Sequence, residues 1–407
     1  MGARLSRSVT FPQLVLYGLG TMVGAGFYAL TGKVAAEAGM ATPLAFAAAG
    51  VLALLNAFTF AELSSRFPSS AGEARYVEEA FGRPWLAALV GWLVIATGVV
   101  SAGTLSVATV GFLRELVAVP EAAALVLTVL LLGGIAAVGV GASVRTVAAI
   151  TVVEVGALLL VLAAALPRAG AWPARISEVA TDALPAPVLA GAFLAFYAFV
   201  GFEDMVNMAE EVREVRATLP RAILLSVVLT TALYLLVALA VVMLVPIEAL
   251  AGASTPLALV VRALGGPALA IVLVSLLTGI NGALVQIVMA ARVGYGLAQR
   301  GRAPACLGVV HTRTRTPLNA TALATGLTLV LALLVPLVTL ARATSAIILA
   351  VFALMNAALW RIRTRTGRDD NHTPRYPLVL PIAGFLACVG MLVSQLVALL
   401  AGSGGEG

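Results

Sequence analysis

A chain of 407 residues that is 61% hydrophobic and 11% charged, with a mean hydropathy of +1.06, lies far from the soluble globular profile. Its two cysteines, Cys306 and Cys388, and two histidines, His311 and His372, are too scattered for a disulfide framework or a metal cluster. The net charge of +6 calls for no nucleic acid or acidic substrate, because the placement of the basic residues accounts for it.

Apolar runs long enough to cross about 30 Å of hydrocarbon fall at 12–36, 41–65, 84–112, 122–142, 147–166, 186–209, 220–245, 265–298, 318–336, 343–361 and 377–401. They predict an all-α polytopic membrane protein with eleven transmembrane helices. Nineteen of the 25 Lys and Arg lie on the side of the N-terminus. That bias predicts a cytoplasmic N-terminus and, with eleven crossings, an outside C-terminus in a cell inner membrane. No small-residue cleavage site follows the first run, which therefore reads as a retained helix.

In chain order, the first helix is interrupted at Gly20-Thr21-Met22-Val23-Gly24-Ala25-Gly26-Phe27. Glycines cost a helix about 1 kcal/mol each against alanine. Inside a bilayer, broken helix is tolerated only where it is buried in protein or lines a cavity. The stretch is thus either a close-packing surface or an unwound binding segment. Glu62 to Pro68 closes the second helix, and Tyr76 to Gly82 predicts a short surface helix. The fifth helix carries Glu154 about two turns inside, and an intramembrane carboxylate is a functional candidate by default.

The sixth helix is interrupted in turn, at Phe196-Tyr197-Ala198-Phe199-Val200-Gly201-Phe202-Glu203-Asp204. Interruptions in helices 1 and 6 point to two inverted five-helix repeats, 12–166 and 186–361, with a substrate site at their interface. Helix 377–401 is then peripheral, and residues 403–407 form a disordered tail.

Four stretches together resemble the amino acid–polyamine–organocation (APC) transporters: Gly20 to Phe27, Ala61 to Pro68, Phe196 to Glu211 with Pro220-Arg221-Ala222, and Arg292 to Pro304. The family's usual twelfth helix is missing. The resemblance implies a LeuT-type 5+5 fold and alternating-access transport of an amino acid, with no cofactor. In such a site the N–H groups of Ala25 and Gly26 face the substrate carboxylate at a half-helix start, with Gly24 permitting close approach. Carbonyls of Met22, Tyr197 and Val200 accept from the ammonium group. By similarity Tyr197 is a gate, Glu203 a second gate residue, and Phe199 and Phe202 shape the side-chain pocket.

Glu154 stands where several family members carry lysine. It can bind a coupling proton, since burial raises a carboxyl pKa. It can instead help hold sodium with the Gly20 and Val23 carbonyls and Thr278. Sparse side-chain oxygens favour H+ over Na+. A structural hydrogen bond is the plainer alternative, as capping is for Glu203 and Asp204, core packing for Tyr197, and snorkelling for Lys33. Arg292 and its successors are topogenic or pair with Glu210 or Glu211. Arg361 to Thr366 anchor the inside face or meet anionic lipid.

No phosphate-binding Gly-x-x-x-x-Gly-Lys-Ser/Thr loop supports a primary pump. An integral-membrane enzyme would need a catalytic cluster that neither histidine provides, whereas a sensor stays open. The helix-1 motif has no acidic residue, which favours a neutral substrate. Glu203 keeps a cationic amino acid or polyamine as the alternative. Oligomeric state is left open.

Overall fold

Hydrocarbon offers no hydrogen bonds to the backbone, so apolar runs of this length satisfy their own N–H and C=O groups as helices. The computed structural model describes residues 9–68, 72–139, 144–181, 183–365 and 373–403. Among these there is no strand, only an isolated bridge between Val9 and Val212.

The helices follow in order: α1 (Phe11–Met22), α2 (Ala25–Ala38), α3 (Thr42–Arg66), α4 (Gly72–Phe81), α5 (Pro84–Arg114), α6 (Glu121–Val138), α7 (Val144–Ala165) and α8 (Pro173–Thr181). The second half runs α9 (Pro185–Phe196), α10 (Val215–Leu244), α11 (Ile247–Gly252), α12 (Pro256–Ala263), α13 (Ala268–Gln299), α14 (Leu318–Leu334), α15 (Leu337–Arg365) and α16 (Val379–Ser403). Short 3₁₀ turns continue α9 at Tyr197–Phe199 and Phe202–Met208.

Nine helical runs among the described residues are long and apolar enough to cross a bilayer, against the eleven crossings expected. The difference has a simple origin. One run, Ala25–Arg66, spans 42 residues, and would be roughly 63 Å long if straight, twice the hydrocarbon thickness. Gly39, at φ 56°, separates its α2 and α3 halves, and Val34, Ala38 and Ala45 gather round Gly191 of α9. Another expected crossing is α14, only 17 residues long. The outer surface is apolar, with Leu127 70%, Leu160 72% and Leu334 76% exposed, a distribution suited to lipid and not to water. The chain is an all-α, multi-pass membrane protein.

Packing is close where small residues permit it. α5 lies along α13, and a Cβ at Gly279 would come 2.1 Å from Thr109 Oγ1. α3 lies along α10, and a Cβ at Gly50 would come 2.4 Å from the Thr231 methyl carbon. α16 is tied to the core through Asn356, which donates to Asn56 Oδ1 at 2.7 Å, where Cys388 Sγ also donates at 3.4 Å.

The face on which the chain begins is held by ions. Glu62, wholly buried at the end of α3, accepts from Arg66 Nε at 3.0 Å and from Arg363 Nε at 2.8 Å. The Tyr376 N–H adds a bond of 3.2 Å. Three arginines of the stretch expected to anchor the inside face bond protein groups. Arg363 is a buried partner of Glu62, and Arg361 and Arg365 both donate to the Ala80 carbonyl of α4 at 3.1 Å. Arg302 ties the same end of α4 through Glu78 at 2.5 Å. On the opposite face Lys33 donates to the Ala251 carbonyl at 2.6 Å, joining α2 to α11 and not snorkelling freely. Arg4, Arg7, Thr366, Arg368, His372 and the expected tail beyond Ser403 lie outside the described residues.

Candidate functional site

The two interrupted helices meet at their breaks. α1 ends at Met22, Val23 takes φ −73°, ψ 44°, and Gly24 is extended before α2 begins at Ala25. Two residues thus leave the helical path. The Phe27 N–H reaches back to the Gly24 carbonyl at 3.2 Å. Ala25 and Gly26 open α2, so their N–H groups are the orphan donors of a helix start, with the positive end of its dipole behind them. In the sixth segment Val200 is extended and Gly201 adopts φ 126°. Only glycine suits that conformation, and a Cβ there would also stand 2.6 Å from the Thr21 carbonyl oxygen.

Tyr234 of α10 joins the breaks. Its hydroxyl lies 2.7 Å from the Met22 carbonyl oxygen and 3.0 Å from that of Ala198. Its ring stacks on Phe27 at 4.0 Å between centroids. Tyr197 reaches from the sixth segment to α5, its hydroxyl 3.0 Å from Ser101 Oγ. A Cβ on Gly26 would come 2.8 Å from the Tyr197 ring.

A cleft opens beside the breaks. Of the expected residues it is lined by Gly20, Met22, Gly24, Gly26, Tyr197, Val200 and Thr278. Gly24 faces open space, where an added Cβ would meet nothing within 4 Å. The cleft continues toward the N-terminal face past Tyr17, Asp204 and Gln286.

Several expectations are corrected by these contacts. The Met22 carbonyl already accepts from Gly24 N–H and from Tyr234, each at 2.7 Å. One lone pair is taken by Gly24 N–H and the other competes with Ala198 for the single Tyr234 proton, so little of it is left for an ammonium group. The Tyr197 carbonyl is taken by Val200 N–H at 3.1 Å. The Val200 carbonyl accepts no backbone bond among the described residues. Phe199 and Phe202 do not line the cleft. Phe199 packs edge-on to Tyr234 at 5.2 Å, and Phe202 lies 5.2 Å from Phe352, because the turns around Gly201 direct both rings into the core. Glu203 caps the break, accepting from Gly201 N–H at 2.8 Å, and does not line the cleft. Ala25 and Val23 are fully buried behind it.

Glu154 sits behind the first break. It is 1% exposed, its Oε2 has no hydrogen-bond partner among the described residues, and its backbone carbonyl accepts from Tyr28 at 2.9 Å. Gly20 is packed on the same helix, where a Cβ would meet Thr151 Oγ1 at 1.9 Å. Thr278 donates to the Val274 and Ser275 carbonyls at 2.8 Å.

A family model described as amino acid permease matches residues 9–404. The chain belongs to the amino acid permease family. The permease is 30% identical over 387 residues to an uncharacterized transporter of Mycobacterium tuberculosis, covering 95% of this chain and 85% of that protein. It is 31% identical over 347 residues to a mitochondrial cationic amino acid transporter of Arabidopsis thaliana, covering 78% of this chain and 56% of the relative. It is 26% identical over 386 residues to the branched-chain amino acid permease BcaP of Bacillus subtilis, covering 89% and 82%. The permease is therefore a transporter and not an enzyme.

Ser101, Asn281 and Gln286 of the cleft lining, and Tyr234 behind it, do not stand out in the permease's sequence. Each is a polar residue in an apolar helix, which is the signal that marked Glu154. What a sequence lacks is the rotation of each helix, and that decides which of them meet the breaks.

Proposed function

We propose that this transporter carries an amino acid by alternating access, with the two helix breaks as the substrate cradle. The observation that carries the reading is the placement of Gly24, Gly26, Tyr197 and Val200 round one cleft. The N–H groups at the start of α2 supply an anion site for the substrate carboxylate. The Val200 carbonyl, from the other break, supplies an acceptor for the ammonium group. Tyr197 closes over both as the gate, held by Ser101. A neutral amino acid is the favoured substrate, since the cradle itself carries no ionised side chain. The named substrates of BcaP and of the Arabidopsis relative bracket this choice. Asp204, in the lower cleft, favours a cationic amino acid or polyamine as the second reading.

Transport is coupled to protons in this reading, with Glu154 as carrier. Its unpartnered Oε2 behind the break is a group that a proton would stabilise. Sodium, held by the Gly20 and Val23 carbonyls with Thr278, is the competing ion. In this reading the protein sits in the cell inner membrane with its N-terminus cytoplasmic, a placement the basic loops support. The test is counterflow of radiolabelled amino acids and amines into proteoliposomes holding the purified protein. Saturable exchange of one neutral class is expected. Absence of flux for every substrate, with no thermal shift from any, sinks the proposal.

A further inference from the structure

Asp204 is the least satisfied ionisable side chain of the cleft. It is 2% exposed, lines the cleft, and neither carboxylate oxygen has a hydrogen-bond partner among the described residues. Its neighbour Glu203 is engaged with Gly201 N–H, so the two carboxylates have separate roles. Across the cleft Gln286 Oε1 is also buried without a partner. A charge buried with no donor is costly enough that such a group takes up a proton or a mobile cation.

The ionisable groups around it decide between those. The adjacent carboxyl group, Glu203, is held by Gly201 N–H, and the next acidic element to approach is the start of α4. Glu73 lies in the first turn of α4, which docks on this segment where a Cβ at Gly72 would stand 2.9 Å from Asn207 Oδ1. From α1 comes Tyr17, itself within the field of Arg292 of α13 and of Glu211. α3 and α10 also pack on the segment. The α3 carboxylate, Glu62, is consumed by Arg66 and Arg363, and α10 brings Arg216 and Arg221 in its first turns. Among the described residues no group of three or more such side chains is arranged to hold a metal ion.

We propose that Asp204 is a proton-binding station of the transport cycle that exchanges its proton with the N-terminal face through Glu73. In the step, the acid form of Glu73 loses one proton to become carboxylate, and the Asp204 carboxylate gains it to become the acid. The reverse transfer releases it. Glu73 is suited to the exchange because it is outside the membrane-spanning segments and burial pushes it up to about 7. It therefore holds and gives protons near neutral pH. The station rests on the proton-coupled reading above and adds to it the inner end of the proton path.

The test compares wild type, Asp204→Asn and Glu73→Gln in proteoliposomes. Accumulation of radiolabelled leucine and lysine under an imposed pH gradient is divided by each variant's own counterflow rate. One pH unit supports about tenfold accumulation at one proton per substrate. Asp204→Asn is expected to bring that ratio down about tenfold, to the level seen without a gradient. Glu73→Gln is expected to displace the pH midpoint of accumulation and so tests the path with a second, milder change. A normalised ratio in Asp204→Asn equal to wild type overturns the station while leaving proton coupling intact. Selective loss of lysine counterflow, with leucine still driven by the gradient, makes Asp204 a counter-ion for cationic substrate and also overturns it. A wild type indifferent to the gradient removes the coupling reading itself, and the station with it.

Discussion

The Tyr234 hydroxyl stands 2.7 Å from the Met22 carbonyl oxygen, so a side chain of α10 holds the end of the first half-helix. The same hydroxyl reaches Ala198 at 3.0 Å, yet it has one proton to give. It can satisfy one break at a time or share between them. Such a contact is suited to a site whose two broken helices must move relative to each other. Tyr234→Phe keeps the stack on Phe27 and removes the hydroxyl from both carbonyls. The loss leaves a buried carbonyl short of a donor, costing about 1–3 kcal/mol. We expect a lower melting temperature in detergent and weaker substrate affinity in counterflow. Wild-type values for both would show that the bridge is incidental.

Gly26 is constrained by a neighbour more than by substrate. A Cβ there would lie 2.8 Å from the Tyr197 ring, so Gly26→Val must displace the ring and break its contact with Ser101. Gly26→Ala asks for a smaller shift of the same ring. Counterflow should fall in the order glycine, alanine, valine. Ser101→Ala should reproduce part of the alanine effect without touching the cradle. If valine transports as well as glycine, Tyr197 is not the gate.

These two sites show how far the sequence could be read. Gly24 and Gly201 were legible because broken helix in a bilayer demands a reason, and both interruptions reappear at one cleft. Glu154 was legible as a charge out of place. Phe199 and Phe202 were misplaced because the turns after Tyr197 abandon the 3.6-residue period on which side-chain direction is judged. The role of Arg363 was hidden for a different reason. An arginine run beside a helix end looks topogenic, and its partner Glu62 is 301 residues away.

Glu154→Gln tests the coupling ion. The Tyr28 hydroxyl bonds the backbone carbonyl of Glu154, so the substitution leaves that tie in place and changes only the ionisable group. Accumulation is expected to lose its response to an imposed pH gradient while exchange persists in part. If the response to protons survives unchanged, Glu154 leaves the mechanism. A response to a sodium gradient in wild type would favour the cation reading with Thr278.

The Glu62 cluster predicts a stability effect. Glu62 is wholly buried with Arg66 and Arg363 as partners, joining the ends of α3 and α15 and the chain at Tyr376. Removing one member of a buried ion pair leaves its partners uncompensated, at about 3–5 kcal/mol. Glu62→Gln should therefore reduce folded yield and melting temperature, and Arg363→Met should do so less when combined with it than alone. By contrast Arg114→Ala, from an exposed pair with Glu121, should be nearly silent. Equal melting temperatures for wild type and Glu62→Gln would refute a structural role.

Glu73 makes stability depend on pH in a direction that can be worked out beforehand. Burial raises it from 4.5 to about 7, so the folded protein keeps this proton over an interval in which the unfolded chain has lost it. The folded state then binds more protons between those values, and stability falls as pH rises. The contribution is fully present below 4.5 and gone above about 7, amounting at most to roughly 3 kcal/mol at 1.36 kcal/mol per unit. Glu78 slopes the other way, because Arg302 holds it below its ordinary value, which confines its effect to more acid solution. Melting temperatures of wild type should thus decline from pH 5 to about pH 7. Glu73→Gln cannot ionise and should flatten that decline, ending more stable than wild type on the alkaline side. Parallel curves for the two proteins would mean that Glu73 is solvated and that α4 does not bury it.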